Sequence, residues 1–305
     1  MDPSIQSVTY PLLFTKTIVM KKAVLIFASV FFFTLGVNVE NANAQTVLDG
    51  AYIKEHTKTK KIIQYPHLRE ADVMWSTRVW RVIDLKQKIN HPLFFPHTEI
   101  NNRKSLFQVI RDGLIVDGSI TAYDPGVTLD DEFNVPMLIS EVEGVLSEVD
   151  TMYVADPDNM DEQVMVIQPN DITPDMIERY LIKEDWYFDK QRSELYVRII
   201  GMAPQIANIT ADGERTGAFE TLFWLYFPEC RYVLSEWDVY NRANDAERRS
   251  FDDVFMKRQF ASYIYKEQNV YDRSIVEYAT GVDALLESER IKEEIFLLEH
   301  DLWSF

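Results

Sequence analysis

The chain has 305 residues, 47% of them hydrophobic, and its 49 Asp and Glu against 31 Lys and Arg leave a formal charge of −18 at neutral pH. That apolar share can offset the ordering entropy of folding and excludes a disordered chain, while 10 glycines and one cysteine exclude collagen-like and disulfide-stapled scaffolds. The excess of negative charge repels a phosphate backbone and excludes nucleic acid as a partner, and a chain of this length folds without a metal, so no cofactor is expected.

Met20 precedes Lys21 and Lys22, an unbroken apolar run follows from Ala23 to Val37, and the small tripeptide Ala42-Asn43-Ala44 closes the segment. This is the layout of a secretory signal peptide. The run spans roughly 22 Å at ~1.5 Å per residue, short of the roughly 30 Å hydrocarbon core, so export with cleavage is favoured over a membrane span. Cleavage is expected between Ala44 and Gln45, with Met20 as the true start and residues 1–19 as an upstream extension. No cysteine follows the run, as lipidation would require. Removing residues 1–44 takes away Lys16, Lys21 and Lys22 against Asp2 and Glu40, so the mature chain is one charge more acidic than the whole. Cys230 has no partner for an intramolecular disulfide and reads as a small buried hydrophobe.

Along the mature chain, Arg69 to Leu85 reads as a helix that runs into a strand at Arg78–Ile83, with the switch point undetermined. Arg103 to Arg111 reads as a short helix ended by Gly113, Gly118 to Tyr123 as a strand, and Pro136 to Val149 as a helix. Asp150 to Met160 is a polar joint, which divides the chain into an N-terminal lobe, 45–150, and a C-terminal lobe, 151–305. Gln163 to Ile167 reads as a strand, and Thr173-Pro174 as the start of a helix toward Lys183. Trp186–Asp189 and Leu195–Met202 flank a polar turn and form a hairpin. Thr221–Phe227 reads as a strand, Pro228 opens a helix, and the chain from Ser250 on is mostly helical. Its last helix carries one stripe of Ala284, Ser288, Ile291, Ile295 and Leu298. The expected class is α+β, with mixed helices and short, mostly antiparallel strands in one compact unit or two lobes, and neither a Rossmann fold nor a TIM barrel.

Catalytic chemistry is poorly supported. The histidines His56, His67, His91, His97 and His300 show no metal-ligand spacing, no G-x-S-x-G exposes a serine, and no P-loop or dinucleotide glycine motif occurs. The loop Asp156–Glu162 alternates carboxylates as a calcium site does, but it lacks the glycine and the closing Glu of that motif. The pairs Asp130-Asp131 and Asp252-Asp253 are adjacent, and adjacent side chains point apart. Aromatic residues are abundant instead. Most must be core, and a minority with interleaved arginines is expected to form a protein interface, for which Trp75, Arg78, Trp80, Arg81, Phe94 and Phe95 are the candidates.

Four stretches, YPHLREADVMWSTRVWRVIDLKQKINHPLFFP (65–96), EDWYFDKQRSELYVRIIGMAP (184–204), LFWLYFPECRYVL (222–234) and NDAERRSFDDVFMKRQFASYIYKEQNVYDR (244–273), together resemble the GldN/PorN family. The resemblance runs from about Asp49 to Phe305. It implies a non-enzymatic periplasmic component of the type IX protein secretion system and, in gliding bacteria, of the motility machinery. Such a subunit joins a GldK/PorK-like outer-membrane lipoprotein in large rings and meets a GldM/PorM-like motor subunit. The alternative from the residues alone is a periplasmic hydrolase or metal-dependent binding protein that uses the acidic loop or a histidine.

Overall fold

The computed structural model describes residues 60–303 apart from 101–102, 128, 156–162, 210–214, 242–243 and 245. Seven strands form one sheet, in the order β2 (Ala122–Tyr123), β8 (Trp224–Tyr226), β6 (Glu194–Ile209), β5 (Ile177–Asp189), β1 (Val73–Asp84) and β9 (Tyr263–Glu267), with β7 (Arg215–Thr221) beside β8 on the same edge of β6. Every pairing is antiparallel. The α+β class therefore stands, but the central strands are long: β6 has 16 residues, roughly 50 Å at ~3.3 Å each. A separate hairpin pairs β3 (Ser147–Ala155) with β4 (Gln163–Asp171).

Several expected helices are strands, for one reason. The strand expected at Arg78–Ile83 lies within β1, but the helix expected before it is only a 3-10 turn at Glu70–Asp72 followed by the start of β1, and the helix expected after Thr173-Pro174 is a 3-10 turn at Pro174–Met176 before β5. Both strands are covered on both faces. Val79 and Ile83 of β1 face one way, Trp80 and Val82 the other, and all four are buried. A strand buried on both faces gives a continuous apolar run that period alone cannot distinguish from a helix. The expected strand at Gly118–Tyr123 shrinks to Ala122–Tyr123, and the helix expected over Pro136–Val149 covers only Ile139–Leu146 before β3 begins. The polar stretch from Asp150 continues as β3 to Ala155 and then enters residues outside the described range. The helical reading after Ser250 is interrupted by β9, where Tyr263-Ile264-Tyr265 alternates across the sheet.

The helices gather on one face. These are α1 (His91–Phe94), α2 (Leu106–Ile115), α3 (Ile139–Leu146), α4 (Phe227–Glu236), α5 (Phe251–Met256), α6 (Ile275–Tyr278) and α7 (Val282–Trp303). α1 to α5 cover Ile83, Tyr180, Ile182, Ile199 and Met202 in the main core. α6 and α7 cover Val79 and Ile264 in a second cluster. Each helix start is locally encoded: Ser105 caps α2 by accepting from Gln108 N–H at 3.3 Å, Ser250 and Asp253 cap α5 reciprocally, and Pro228 sits in the first turn of α4. The stripe foreseen on α7 is real, with Ser288, Ile291 and Ile295 buried.

One buried ion pair ties the chain entering the sheet to this helical layer. Arg231 of α4, 2% exposed, donates to both carboxylate oxygens of Asp252 at 2.8 and 3.2 Å and to the Ile63 carbonyl at 2.7 Å. The Tyr65 ring lies 4.5 Å from that guanidinium and 4.7 Å from that of Arg198. Burial raises the Tyr65 hydroxyl above its ordinary range against the pull of Arg231. Arg231→Ala should cost about 3–5 kcal/mol, because Asp252 stays buried without its countercharge. Arg231→Met with Asp252→Leu should recover most of that loss. Urea unfolding midpoints of both variants decide this, and equal losses would mean that the pair itself holds the helices.

Candidate functional site

The sheet face without helices forms a groove of about 1020 Å³. Its floor is Trp80, Val82, Leu181 and Trp224, one wall is the loop around Leu129–Glu132, and the other is built from Tyr263, Tyr265 and Lys266 of β9. At the far end, the Arg179 guanidinium stacks 3.6 Å from the Phe219 ring centre, and Gln205 donates to Thr221 at 3.0 Å. Burial pushes the Tyr265 hydroxyl well above its ordinary range, so that side chain stays protonated.

The loop wall is clamped by one lysine. Lys183 of β5 is 1% exposed and lies directly across from Trp80, and its ammonium donates to the Asp131 carbonyl and the Glu132 carboxylate, both at 2.9 Å. The Trp80 indole N–H donates to the Asp131 carboxylate. Arg78, on the same face, grips Asp185 with two bonds of 2.6 and 3.1 Å and reaches Glu132 at 3.8 Å. The bond to Asp185 holds the Arg78 guanidinium above its ordinary range. Phe133 then packs edge-on against Tyr123 and Trp224 at 5.4 and 6.3 Å. Gly201 makes this contact possible, since a Cβ there would stand 2.6 Å from the Phe133 ring. Leu129 and Phe133 sit at φ of 54° and 58°, left-handed backbone that costs a side-chain-bearing residue roughly 1–3 kcal/mol and that the clamp offsets.

On the opposite face the next residue, Glu184, is fully buried. Arg258 donates to its two oxygens at 2.9 and 3.2 Å, and the Trp186 indole N–H donates at 3.1 Å. Arg81 also lies on this face, donating to the Ser262 hydroxyl at 2.8 Å, and burial pulls its guanidinium below its ordinary range.

The six interface candidates are not brought together. Arg78 and Trp80 face the groove, whereas Trp75 and Arg81 face the helical layer. Phe94 packs on the main core beside Phe95, which is 45% exposed and meets the His97 ring at a tilt with centres 4.7 Å apart. Ala44, Gln45, His56 and the acidic loop Asp156–Glu162 lie outside the described residues. The two acidic pairs do point apart. Asp130 accepts from Asn134 at 2.8 Å, which with the Glu132 N–H holds its carboxyl low, while Asp131 turns to Trp80 and Lys183. Asp252 turns to Arg231, and Asp253 turns to Ser250 and Lys60. Burial pushes the Cys230 thiol far above its ordinary range, which suppresses the nucleophilic thiolate. Among the described residues no group of three or more His, Cys, Asp or Glu could hold a metal ion, and no helix is long and apolar enough to cross a membrane.

Residues 68–304, which contain the sheet, the clamp and the seven described helices, match the family model for the gliding motility associated protein GldN. The chain belongs to the GldN family. No curated protein matches it. The GldN match begins just before β1 and closes with α7, so the clamp of Lys183 and the Glu184–Arg258 pair both lie inside the family region. Reasoning from sequence passed over Lys183, Glu184 and Phe133, and it offered Arg258 among the interleaved arginines of a partner interface, whereas that side chain pairs with Glu184. A Lys-Glu-Asp triplet inside a run of buried apolar residues was the available signal.

Lys183→Met should release the loop wall while the sheet persists. Hydrogen exchange across residues 124–136 should speed up with far-ultraviolet circular dichroism unchanged, and stability should fall by roughly 1–3 kcal/mol. This loss is smaller than that of Arg231→Ala because Glu132 can turn to water. Unchanged exchange in that loop would show that Phe133 alone holds it.

Proposed function

We propose that this GldN-family chain is a non-enzymatic structural subunit of the type IX secretion and gliding apparatus. On this reading it is exported to the periplasm, joins an outer-membrane lipoprotein of the GldK/PorK type in rings, and contacts a GldM/PorM-type motor subunit. The observation that carries the reading is the family match over residues 68–304. The way the charged side chains are used supports it. Lys183, Arg78, Asp131 and Glu132 in the groove, and Arg258 and Glu184 behind it, are engaged with one another in holding segments of the fold together. The acidity of the chain supports a partner of opposite charge, since copies carrying −18 repel one another at long range. Of the six interface candidates, exposed Phe95 and half-buried Arg78 on the groove rim are the ones a partner would reach.

Tagged protein purified from envelope fractions should bring the lipoprotein with it, and the same material should show a mature N-terminus at Gln45 by mass spectrometry. Association of the two proteins should slow as salt rises, because the screening length falls from ~30 Å at 0.01 M to ~10 Å at 0.1 M while contact distances stay fixed. Recovery of the tagged protein without the lipoprotein, or an association rate indifferent to salt, overturns the reading.

A further inference from the structure

The helix α7 is apolar on two sides, and only one of them is used. Ser288, Ile291 and Ile295 are buried against the sheet, with the Ser288 hydroxyl accepting from Ile264 N–H at 3.0 Å. On the outward side, Leu285, Leu286, Phe296 and Leu297 are 59, 63, 63 and 46% exposed. At about 100° per residue these four share one face with Glu289, Arg290, Lys292 and Glu293, so that apolar ends bracket a charged middle. Laid against itself in reverse, this face is self-complementary. Leu285 meets Phe296 and Glu289 meets Lys292 along the seam, while Leu286 meets Leu297 and Arg290 meets Glu293 along one flank.

We propose that this face is a homodimer contact, in which a second copy of the chain lays its α7 antiparallel on the first about a two-fold axis. A two-fold axis requires that residue i meet j and j meet i, and the four pairings obey that rule. A parallel copy would set Glu289 on Glu289 and Lys292 on Lys292. Lys292 already faces Glu289 of its own helix at 3.1 Å, so the second copy turns this pair into an alternating square of charge, while Arg290, held by Glu287 of its own helix at 2.6 Å, adds Glu293 of the second copy. A groove of about 520 Å³ beside the helix, lined by Trp186, Leu195 and Phe296, gives the incoming Leu285 an apolar recess. In a chain at −18, local pairing of this kind is what lets two copies approach. The contact goes beyond the ring reading and does not depend on it.

The test is a charge exchange on the chain purified from its native host, so that any processing is retained. Glu289→Lys alone and Lys292→Glu alone each place like charges across the axis at two symmetric points, and each should weaken the homodimer roughly tenfold. Mixed together, the two variants should form a heterodimer of wild-type affinity, because the new lysine of one meets the new glutamate of the other. Each helix still carries its internal like-charge pair in that mixture, so recovery reports the contact between copies. Leu285→Glu with Phe296→Glu should abolish the dimer while leaving circular dichroism and melting unchanged, as both side chains are at the surface. Sedimentation velocity over a concentration series reads all five samples, the wild-type chain included. A wild-type chain monomeric up to roughly 1 mM, a dimer indifferent to the reversals, or a mixture no tighter than its parents overturns the proposal. Failure to recover the lipoprotein partner bears on the ring reading alone.

Discussion

Lys183 and Glu184 stand side by side in the middle of β5, which lies between β1 and β6, and successive residues of a strand face opposite sides. Both are buried, one on each face of the sheet. A buried charge left single is too costly for a folded state of ordinary stability, so each must draw a countercharge to itself. Lys183 draws the Asp131–Phe133 loop from 51 positions away, and Glu184 draws Arg258 from 74 positions away. The same pair fixes the register of the sheet. If β5 slipped by one residue, the lysine would enter the helical core and the glutamate would meet Asp131 and Glu132, so both charges would be lost at once. The opposed signs thus exclude the alternative pairing most accessible to a long, apolar strand.

That constraint leaves a two-layer molecule with unequal faces. The helical face is closed by five helices on the main core and by α6 and α7 on the second cluster. The other face is roofed only where the Lys183 clamp reaches, and the remainder is a groove with an aromatic floor and paired charges on its walls. The aromatic richness of the sequence finds its use here. Trp80, Trp224, Tyr123, Tyr265 and Phe133 cover a sheet face that lacks helices, and wide rings do so with few residues.

The class, the start of α4 and the last helix were legible because these depend on neighbours: Pro228 in a first turn and the Ser288–Ile291–Ile295 stripe each lie within a turn or two of chain. The sequence hid β5 before Trp186 because both faces of that stretch are covered, which erases the alternation that marks a strand, whereas Arg78–Ile83 of β1 and Trp186–Asp189 of β5 read as strands. It hid the clamp because nothing local announces that Lys183 meets Glu132. Family resemblance was legible in four long stretches, and these turn out to hold β1, the β5–β6 hairpin, α4 and the α5–β9 segment, the parts that build the sheet centre. The six interface candidates scattered because adjacency in sequence becomes opposition in a strand: Trp80 and Arg81 are neighbours whose side chains lie on different sides of a wall.

The position of β1 sets how the fold would yield to a pull. It is the first strand among the described residues, yet it lies between β5 and β9, in register with β5 from Val73 to Asp84 apart from one bulge. Tension along β1 loads its hydrogen bonds to β5 in shear, all together, whereas α7 at the other end of the chain rests on the sheet through a few side chains and peels one contact at a time. A pull between the two ends would therefore lift α7 first, then unzip the short β9, and reach the β1–β5 ladder last. Such a molecule has a stiff anchor at its N-terminal side and a compliant one at its C-terminal side.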